Sequence, residues 1–238
     1  MTPTIIGAGR VGLALAKIAS TRPHARGQSW SKAQPGPLIV CTRNDDLAGV
    51  IQATPAARRT DLVFIQNGMI EPLLKDHGLL QNTQALVYFA VSAKGQDPVD
   101  GGGTVVSGPW AQEFQSLLGQ ASLGCSVVAP HSFQLQMVEK LLWNCVFGLL
   151  CQRHSASVGV LVREQGAEIQ ALSDELQGVA ERALDLALQP GVPERLCDYS
   201  MKIADYRGAV KELPWRNGWF LAQEQSPLHS QWLQALAI

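Results

Sequence analysis

The sequence has few charged residues and no excess of either sign. Of its 238 residues 16% are charged, and 19 lysines and arginines stand against 20 aspartates and glutamates, which gives a net charge of −1 at pH 7. No block of like charge is present, so the chain lacks the positive field with which proteins bind duplex DNA or anionic membranes. We therefore expect neither nucleic acid nor a membrane as a partner.

The cysteine patterns of secreted and zinc-binding domains are also missing. The five cysteines are odd in number, lie far apart and never follow a C-x-x-C spacing, so neither a disulfide framework nor a zinc site is indicated. They are Cys41, Cys125, Cys145, Cys151 and Cys197. We expect buried thiols, no metal and a reducing, cytoplasmic location.

Long uninterrupted apolar runs do not occur. The first apolar segment is broken at Gly7, Gly9 and Arg10, and the longest later one, 141–162, is broken at Asn144 and beyond. Neither pattern predicts a signal peptide or a membrane span. With 46% hydrophobic residues, the chain is instead expected to fold as one large or two small globular domains.

Short apolar runs recur through the first half of the chain, separated by turn residues and helical patterns. Those at 62–65 and 85–89 have no polar alternation, which is typical of strands buried on both faces of a mainly parallel sheet. The runs lie at 4–6, 38–41, 62–65, 85–89, 104–106 and 126–128. They predict an α/β fold with a ligand crevice at the carboxyl ends of the strands.

After Pro130 the periodicity becomes helical, with helices expected over 133–152, 166–189 and 193–206. The sequence thus predicts two domains, residues 1–130 with the sheet and residues 131–238 built from helices alone. The stretch 21–37 has one large apolar residue, Trp30, where a nucleotide-binding domain normally has a strand, a helix and a further strand. We expect this half of the sheet domain to be shortened.

A glycine motif, G-x-G-x-x-G, follows the first strand directly and precedes a helical pattern. Its residues are Gly7, Ala8, Gly9, Arg10, Val11 and Gly12. In this context the glycines permit a tight turn, close approach of a pyrophosphate and close packing of helix on strand, and the helix amides favour the anion. The motif predicts a shortened Rossmann-type domain that binds a dinucleotide.

The residues after the motif favour NADP over NAD. A site for NAD usually has an acid about 20 residues past the glycines, whereas the first acid of this chain is Asp45. Arg22, Arg26 and Lys32 lie in that region and could receive a 2′-phosphate. The alternative is that they are ordinary solvated cations of a loop.

Asn67 follows the strand 61–66 and precedes Gly68. Asn-Gly is a common turn dipeptide, but a side-chain amide at the carboxyl end of a strand also faces the crevice, where it could orient nicotinamide and substrate. The residues alone leave both interpretations open.

The helix 133–152 contains two polar residues in an apolar surrounding, Lys140 and Asn144, one turn apart on the same face. A buried lysine or asparagine is costly unless its polar group is satisfied. Either Lys140 reaches solvent and Asn144 bonds the backbone, or both line a cleft where burial lowers the pKa of the lysine and lets it donate a proton.

Taken together, four blocks resemble ketopantoate reductase, the enzyme that reduces 2-dehydropantoate to pantoate with NADPH. The blocks are Gly7–Gly12, Gln66–Met69, Lys140–Val146 and a C-terminal block with Ser200-Met201, Lys211-Glu212 and Asn217-Gly218. Their order and their spread over nearly the whole chain carry the resemblance. Composition alone gives no reason to select Ser200 or Glu212.

The resemblance implies a dinucleotide-binding domain, a helical domain, an active site in the cleft between them and a place in pantothenate biosynthesis. Lys140 would be the general acid, and Glu212 would fix it and contact substrate or cofactor. Asn67 and Asn144 would orient the substrate, and Ser200 would hold its carboxylate or hydroxyl. The residues expected at NADP are Gly7, Ala8, Gly9, Arg10, Val11, Gly12, Lys32, Arg43, Asn67 and Ala90.

The chain also departs from this family. Gly148 and Cys197 stand where the family has asparagines, and the chain is shorter, mainly over 21–37. Two lost hydrogen bonds could redirect specificity to another 2-oxo acid. The alternatives are therefore a different 2-hydroxyacid dehydrogenase and a non-catalytic NADP-binding or sensor module. The apolar C-terminal residues could cap the core or form a homodimer; they are Trp232, Leu233, Leu236 and Ile238.

Overall fold

The computed structural model describes residues 2–224 and 226–238. Its chain divides into two compact units, Met1–Phe133 and Gln134–Ile238, which we call unit 1 and unit 2. The sequence predicted a boundary near residue 130, where a long helix begins. Each unit is described separately below.

Unit 1 carries every strand found in the described part of the chain. The strands are β1 (Thr4–Ile6), β2 (Leu38–Val40), β3 (Leu62–Phe64), β4 (Thr83–Leu86), β5 (Phe89–Ala90), β6 (Val99–Asp100), β7 (Val105–Ser107) and β8 (Ser126–Val127). Six of them form one sheet in the order β1-β2-β3-β4-β7-β8, parallel except between β4 and β7. The predicted mainly parallel sheet is confirmed.

The predicted strand over 85–89 is divided between two sheets. β4 ends at Leu86, and Phe89 pairs with Asp100 in the separate antiparallel sheet of β5 and β6. Between them, the amide of Tyr88 donates to Thr104 Oγ1 at 2.9 Å. Since this bond comes from a residue 16 positions away, local periodicity could not show where the strand ends.

β1 lies at the edge of the sheet, with no further strand beside it among the described residues. A full-length nucleotide-binding domain has further strands after its first helix. In the described residues of this segment, the only pairing with β1 is the parallel bridge between Ile6 and His24. The following segment is held by hydrogen bonds: the Arg58 guanidinium donates to the carbonyl groups of Ala33, Gln34 and Gly36. The predicted shortening of this half is therefore confirmed.

Four helices complete unit 1: α1 (Arg10–Ile18), α2 (Leu47–Ala53), α3 (Glu71–Asp76) and α4 (Ala111–Gly119). α1 and α4 pack on the sheet through residues such as Leu15 and Phe114, which contact the strand residues Ile5, Ile39 and Val106 in one buried cluster. β2 and β3 are buried along their whole lengths, as their continuous apolar sequences predict.

Unit 2 is helical throughout its described residues. Its helices are α5 (Pro130–His154), which begins in unit 1, then α6 (Val158–Glu164), α7 (Gly166–Leu184), α8 (Val192–Lys202), α9 (Asn217–Gln223) and α10 (Pro227–Ala235). The predicted all-helical region is confirmed. α7 ends earlier than expected because Asp185 adopts a left-handed conformation, with φ 49°, so the residues up to 189 lie outside it.

α5 is apolar on nearly every side and lies in the core of unit 2, with Leu142, Val146, Phe147 and Leu150 fully buried. Across residues 2–224 and 226–238, no single helix is long and apolar enough to cross a membrane. α5 and α6 pass that test only when they are combined across an 84° bend, on length and composition alone.

Candidate active site

The glycine turn of unit 1 leaves no room for a side chain at Gly7 or Gly12. Gly7 has φ +110°, and a Cβ on it would lie 2.8 Å from the Cys41 carbonyl oxygen at the end of β2. A Cβ on Gly12 would lie 1.9 Å from the Gly7 carbonyl oxygen. The motif therefore folds as its spacing predicts, with β1, the turn and α1 in direct backbone contact.

The amino end of α1 is suited to an anion. Gly9 is the N-cap and contributes no side-chain hydrogen bond, and the first turn holds no acidic residue. The first amides of a helix have no partner within it and carry the positive end of its dipole. A phosphate group could accept hydrogen bonds from these amides.

A cavity of about 760 Å³ opens beside the glycine turn, a volume typical of small-molecule sites. Of the predicted cofactor residues, Gly7, Ala8, Gly9 and Arg43 line it. Its other wall is the shortened segment, including Trp30, whose indole Nε1 donates to Thr54 Oγ1 at 3.0 Å. The segment that replaces the missing strands therefore closes the cavity instead of leaving it open.

The remaining predicted cofactor residues lie elsewhere in unit 1. Lys32 lines a neighbouring cavity of about 330 Å³ and not the cavity of the glycine turn, and its contact with NADP stays a prediction. Arg10 donates to the Ser92 carbonyl oxygen, and Ala90 pairs with Val99 in the small sheet. Val11 and Gly12 belong to α1.

Charged residues of both signs surround the cavity. Arg26 and Asp46 line it and form an ion pair, with Arg26 Nη2 at 2.7 and 2.9 Å from the two carboxylate oxygens. Arg43 lines it too and is exposed, whereas Arg22 is not among the lining residues. Sequence reasoning missed Asp46, although it comes six residues after β2 ends, near the crevice edge of the sheet.

Side-chain amides tie the ends of β2 and β3 together. Gln66 Nε2 donates to the carbonyl oxygens of Val40 and Thr42 at 2.8 and 3.2 Å, and Asn44 Nδ2 donates to the backbone oxygen of Asn67 at 2.7 Å. Asn67 is half-buried at this edge. The Asn-Gly turn is thus held in a defined position at the carboxyl end of its strand.

The ammonium group of Lys140, in unit 2, has a lowered pKa. The residue is half-buried on α5, and burial, together with the positive charge of Arg216, lowers its pKa to about 7. Asn144, one turn later, donates from Nδ2 to the Lys140 carbonyl oxygen at 2.8 Å. The lowered pKa of Lys140 is the feature that one of the two sequence interpretations expects. The hydrogen bond from Asn144 to the backbone is the feature that the other expects.

Glu212 and Arg216 lie beside this pair. Arg216 Nη2 donates to Glu212 Oε2 at 2.7 Å, and its Nη1 lies 3.3 Å from Asn144 Oδ1. The structure therefore connects Asn144 and Glu212 through an arginine that sequence reasoning missed. The roles that the resemblance implies for Asn144 and Glu212 stay predictions. The available signal was a single cation within the largely apolar stretch 213–220.

Ser200 has a different environment from the one expected. It is fully buried; its hydroxyl donates to the Leu196 carbonyl oxygen at 2.9 Å and accepts a hydrogen bond of 2.9 Å from Trp143 Nε1. The Ser200 hydroxyl on α8 thus holds the indole of Trp143 on α5. The contact between Ser200 and a substrate stays a prediction.

The position of Gly148 explains one departure from the ketopantoate reductase pattern. A Cβ on Gly148 would lie 2.9 Å from the Ala209 carbonyl oxygen, because the segment after α8 crosses α5 at this point. The same segment is held by hydrogen bonds from the amides of Val158 and Gly159 to the carbonyl oxygens of Tyr206 and Ala204. Backbone occupies the space that an asparagine side chain would need.

The cysteines and acids form no second site. Burial raises the pKa of the Cys41 thiol to about 12 and of the Cys125 thiol to about 11, so both are neutral at physiological pH. Within the described residues, no three or more His, Cys, Asp or Glu side chains are grouped so as to hold a metal ion. Trp232 and Leu233 are buried in unit 2, where they cap its core.

No model of a protein family matches the sequence, and no curated protein matches it significantly.

Solved structures nevertheless share the fold of the whole chain. D-mandelate dehydrogenase bound to NADH and anilino(oxo)acetate matches with a TM-score of 0.76 and 13% identity, over 100% of this chain and 97% of the other. The dimeric ketopantoate reductase from Staphylococcus aureus has a TM-score of 0.73 and 17% identity, over 100% and 98%. A ketopantoate reductase from Ralstonia eutropha JMP134 has 0.74 and 18%, over 100% and 97%.

At these identities the likeness concerns the fold. A shortened Rossmann-type unit followed by a helical unit is what the resemblance predicted, and both are present. The chain therefore has the fold of the ketopantoate reductases, which D-mandelate dehydrogenase shares.

Proposed function

We propose that this chain is a nicotinamide-dependent reductase that converts a 2-oxo acid to a 2-hydroxy acid, with NADPH as cofactor and 2-dehydropantoate as the substrate to test first. The observation that carries the proposal is the half-buried Lys140, whose pKa is lowered to about 7 beside Asn144 and Arg216. An ammonium of this acidity is suited to donate a proton near neutral pH.

The features of unit 1 fit a dinucleotide. The glycine turn would accept the pyrophosphate because its backbone is exposed to the cavity and Cβ atoms are absent at Gly7 and Gly9. The backbone amides at the uncapped amino end of α1 would donate hydrogen bonds to the pyrophosphate. A cavity of about 760 Å³ has room for the adenosine part.

The preference for NADPH rests on Arg26 and Arg43, which line the cavity. Both guanidinium groups could pair with a 2′-phosphate, and Arg43 is exposed next to the end of β2. Asp46 already accepts two hydrogen bonds from Arg26, so its carboxylate is not the solitary acid that usually binds the ribose hydroxyls of NAD.

The chemistry divides between cofactor and protein. A bound reduced nicotinamide supplies the hydride for the keto carbon. As negative charge develops on the keto oxygen, the Lys140 ammonium stabilises it and donates one proton from Nζ, which leaves a 2-hydroxy acid and a neutral amine. Asn144 holds the helix backbone at Lys140, and we propose that Ser200 positions Trp143.

A different 2-oxo acid is the second candidate substrate, and one observation favours it. The backbone at Ala209 fills the place where Gly148 lacks a side chain, so a polar group expected in ketopantoate reductases is absent. A site that loses hydrogen-bonding groups loses discrimination for the polar parts of its substrate. One structure with the same fold was solved with the aromatic ligand anilino(oxo)acetate.

The test is NADPH oxidation by the purified chain with 2-dehydropantoate and a panel of 2-oxo acids that includes phenylglyoxylate. We expect Lys140→Met to lower turnover by about 10²–10⁴-fold, with unchanged NADPH affinity. Lys202→Met, an exposed lysine of α8, is the matched control and should keep full turnover.

Three other results would change the assignment. Turnover with phenylglyoxylate alone would select the second substrate. Tight NADPH binding without turnover on any 2-oxo acid would instead indicate a non-catalytic NADP-binding module, and equal rates in Lys140→Met and the wild type would remove the lysine from the mechanism. We also propose a homodimer, since one enzyme with this fold is dimeric; a monomeric sedimentation coefficient would contradict it.

A further inference from the structure

Arg216 is the central side chain of the Lys140 site, although no motif pointed to it. Its side chain exposes 12% of its surface, and two of its nitrogens lie within hydrogen-bond distance of Asn144 Oδ1 and Glu212 Oε2. It therefore connects α5 to the segment that precedes α9.

One donor of this guanidinium is unused. Arg216 Nε is buried and has no hydrogen-bond partner in the described part of the chain. A buried donor without an acceptor costs free energy, and such groups occur where a ligand or an ion completes the site. Arg216 is thus only partly satisfied by the protein.

Two positive groups lie close together in this part of unit 2. Arg216 is paired with Glu212, and its positive charge also acts on the ammonium of Lys140. The neighbouring acid on α5, Glu139, is paired with Arg195 of α8.

Two further titratable side chains of unit 2 are neutral at physiological pH. Burial raises the pKa of the Cys145 thiol, which also lies within the field of Arg216. Burial, followed by the nearby Tyr206, raises the pKa of the Tyr199 phenol. Neither group supplies negative charge at neutral pH.

We propose that Arg216 makes this site a receptor for the carboxylate of a 2-oxo acid: it positions Asn144 and Glu212 and supplies the second positive charge beside Lys140. The inference rests on the proposed function for the class of substrate. The carboxylate and the keto oxygen of a 2-oxo acid sit on adjacent carbons, which suits two neighbouring cations. Arg216 would thus contact the substrate carboxylate, while the proton still comes from Lys140.

Oxamate, an unreactive analogue of a 2-oxo acid, tests the receptor without turnover. Its affinity for the full chain would be measured by calorimetry with and without NADPH. We expect Arg216→Gln to weaken binding by about tenfold or more, and Arg216→Lys to retain most of the affinity, because the charge remains. Arg182→Gln removes another ion-paired arginine of unit 2, whose partner is Glu224, and is the matched control, with unchanged affinity expected.

The titration of Lys140 provides a second measurement that needs neither cofactor nor catalysis. Lysines labelled by reductive ¹³C-methylation are followed by NMR, and the Lys140 signal is assigned by its absence in Lys140→Met. The midpoint should rise in Arg216→Gln and stay near the wild-type value in Arg216→Lys. In the wild type, oxamate should raise the midpoint as well, because an added anion favours the charged amine.

An Arg216→Gln variant that folds, binds oxamate like the wild type and keeps the Lys140 midpoint would overturn the proposal. If this variant does not fold, the proposal is overturned when oxamate leaves the midpoint of the Lys140 titration unchanged in the wild type. The expected oxamate effects, observed in a chain that reduces no 2-oxo acid, would support the receptor and reject the proposed reaction, so the two failures can be told apart.

Discussion

The cavity beside the glycine turn and the Lys140 site are built in opposite ways. The cavity depends on the backbone of the glycine turn, where Gly7 and Gly12 have no space for a Cβ, and on exposed charges such as Arg26, whose side chain is 83% exposed. The Lys140 site depends on charged and amide side chains, of which Arg216 is only 12% exposed. Charges in water contribute little, whereas buried ones have large effects on their neighbours.

This difference sets which substitutions each region tolerates. Side chains around the cavity can change with modest consequences, while Gly7 and Gly12 of the glycine turn cannot. In the Lys140 site, by contrast, removing one partner leaves another buried polar group without a hydrogen bond. The predictions below test this contrast.

The largest effect is expected from Gly12→Ala. The new Cβ would lie 1.9 Å from the Gly7 carbonyl oxygen, and neither backbone segment can move without separating α1 from β1. We expect a loss of stability of several kcal/mol, or no folding of unit 1, because overpacking against backbone has no cheap relaxation. Urea unfolding measures the loss, and NADPH binding should disappear with it.

Gly49→Ala is the matched control for this substitution. Gly49 lies within α2 and lines the same cavity, but nothing lies within 4 Å of a Cβ placed on it. Helix propensity predicts a gain of about 0.5–1 kcal/mol. If Gly12→Ala proved as stable as Gly49→Ala, the backbone contact that defines the turn would be wrong.

A smaller effect is expected when the pH is lowered, and it should be confined to unit 2. His229 is fully buried; its Nε2 accepts a hydrogen bond from Asn217 Nδ2 at 2.9 Å, and burial lowers its pKa to about 4. Since an unfolded chain protonates this ring near pH 6.5, the stabilisation is complete above that pH and is lost as the pH falls toward 4. The loss is roughly 2–3 kcal/mol.

Hydrogen exchange of the α10 amides at pH 7 and pH 5 measures this effect locally. Wild-type protection should fall more steeply on acidification than that of His229→Gln, which has no ring to titrate. Amides of β2 in unit 1 provide the internal reference. Parallel losses in the wild type and the variant would show that other groups govern the acid response.

The smallest effects are expected from the exposed cations of the cavity. Arg43→Ala and Arg26→Ala should each weaken NADPH binding by about tenfold and leave NADH binding nearly unchanged, because one charge pair with the 2′-phosphate is lost. Lys32→Ala, in the neighbouring cavity, is the control. Equal losses for NADH and NADPH would place these arginines at another part of the cofactor.

The elements of unit 1 that sequence reasoning identified are those specified by short stretches of chain. β2 and β3 follow from apolar runs, and the turn follows from glycines at fixed spacing, since each contact of Gly12 with Gly7 joins residues five positions apart. The predicted strand 85–89 was wrong at its end, where the amide of Tyr88 forms a hydrogen bond with Thr104, a residue distant in sequence.

The Lys140 site was predictable only in part. Lys140 and Asn144 stand out because a polar side chain in an apolar helix is costly to bury unless it is hydrogen-bonded. Their spacing also places them on one face of the helix. Glu212 came from the resemblance alone. Arg216 escaped notice because it contacts Asn144 across 72 positions of sequence, and no local pattern shows which distant residue will face a helix.

Two residues show how burial alters an expected role. By sequence alone, Ser200 cannot be distinguished from a serine on the surface of a helix. In the structure it is fully buried and its hydroxyl is hydrogen-bonded to Trp143. In the sequence, Gly148 indicates only that the asparagine side chain of the ketopantoate reductase pattern is missing. The structure shows that the carbonyl group of Ala209 lies against this glycine. In both cases the deciding partner comes from another element.

The sequence by itself determined the order of strands and helices, the glycine turn and the candidate proton donor, because hydrophobic periodicity and backbone geometry act over a few residues. The tertiary structure alone decided that Arg216 shares the site of Lys140, that Ser200 is part of the core and that Lys32 lies outside the main cavity. The physical reason is that charge, burial and hydrogen bonding depend on distances in space, which a chain of 238 residues sets only when it folds.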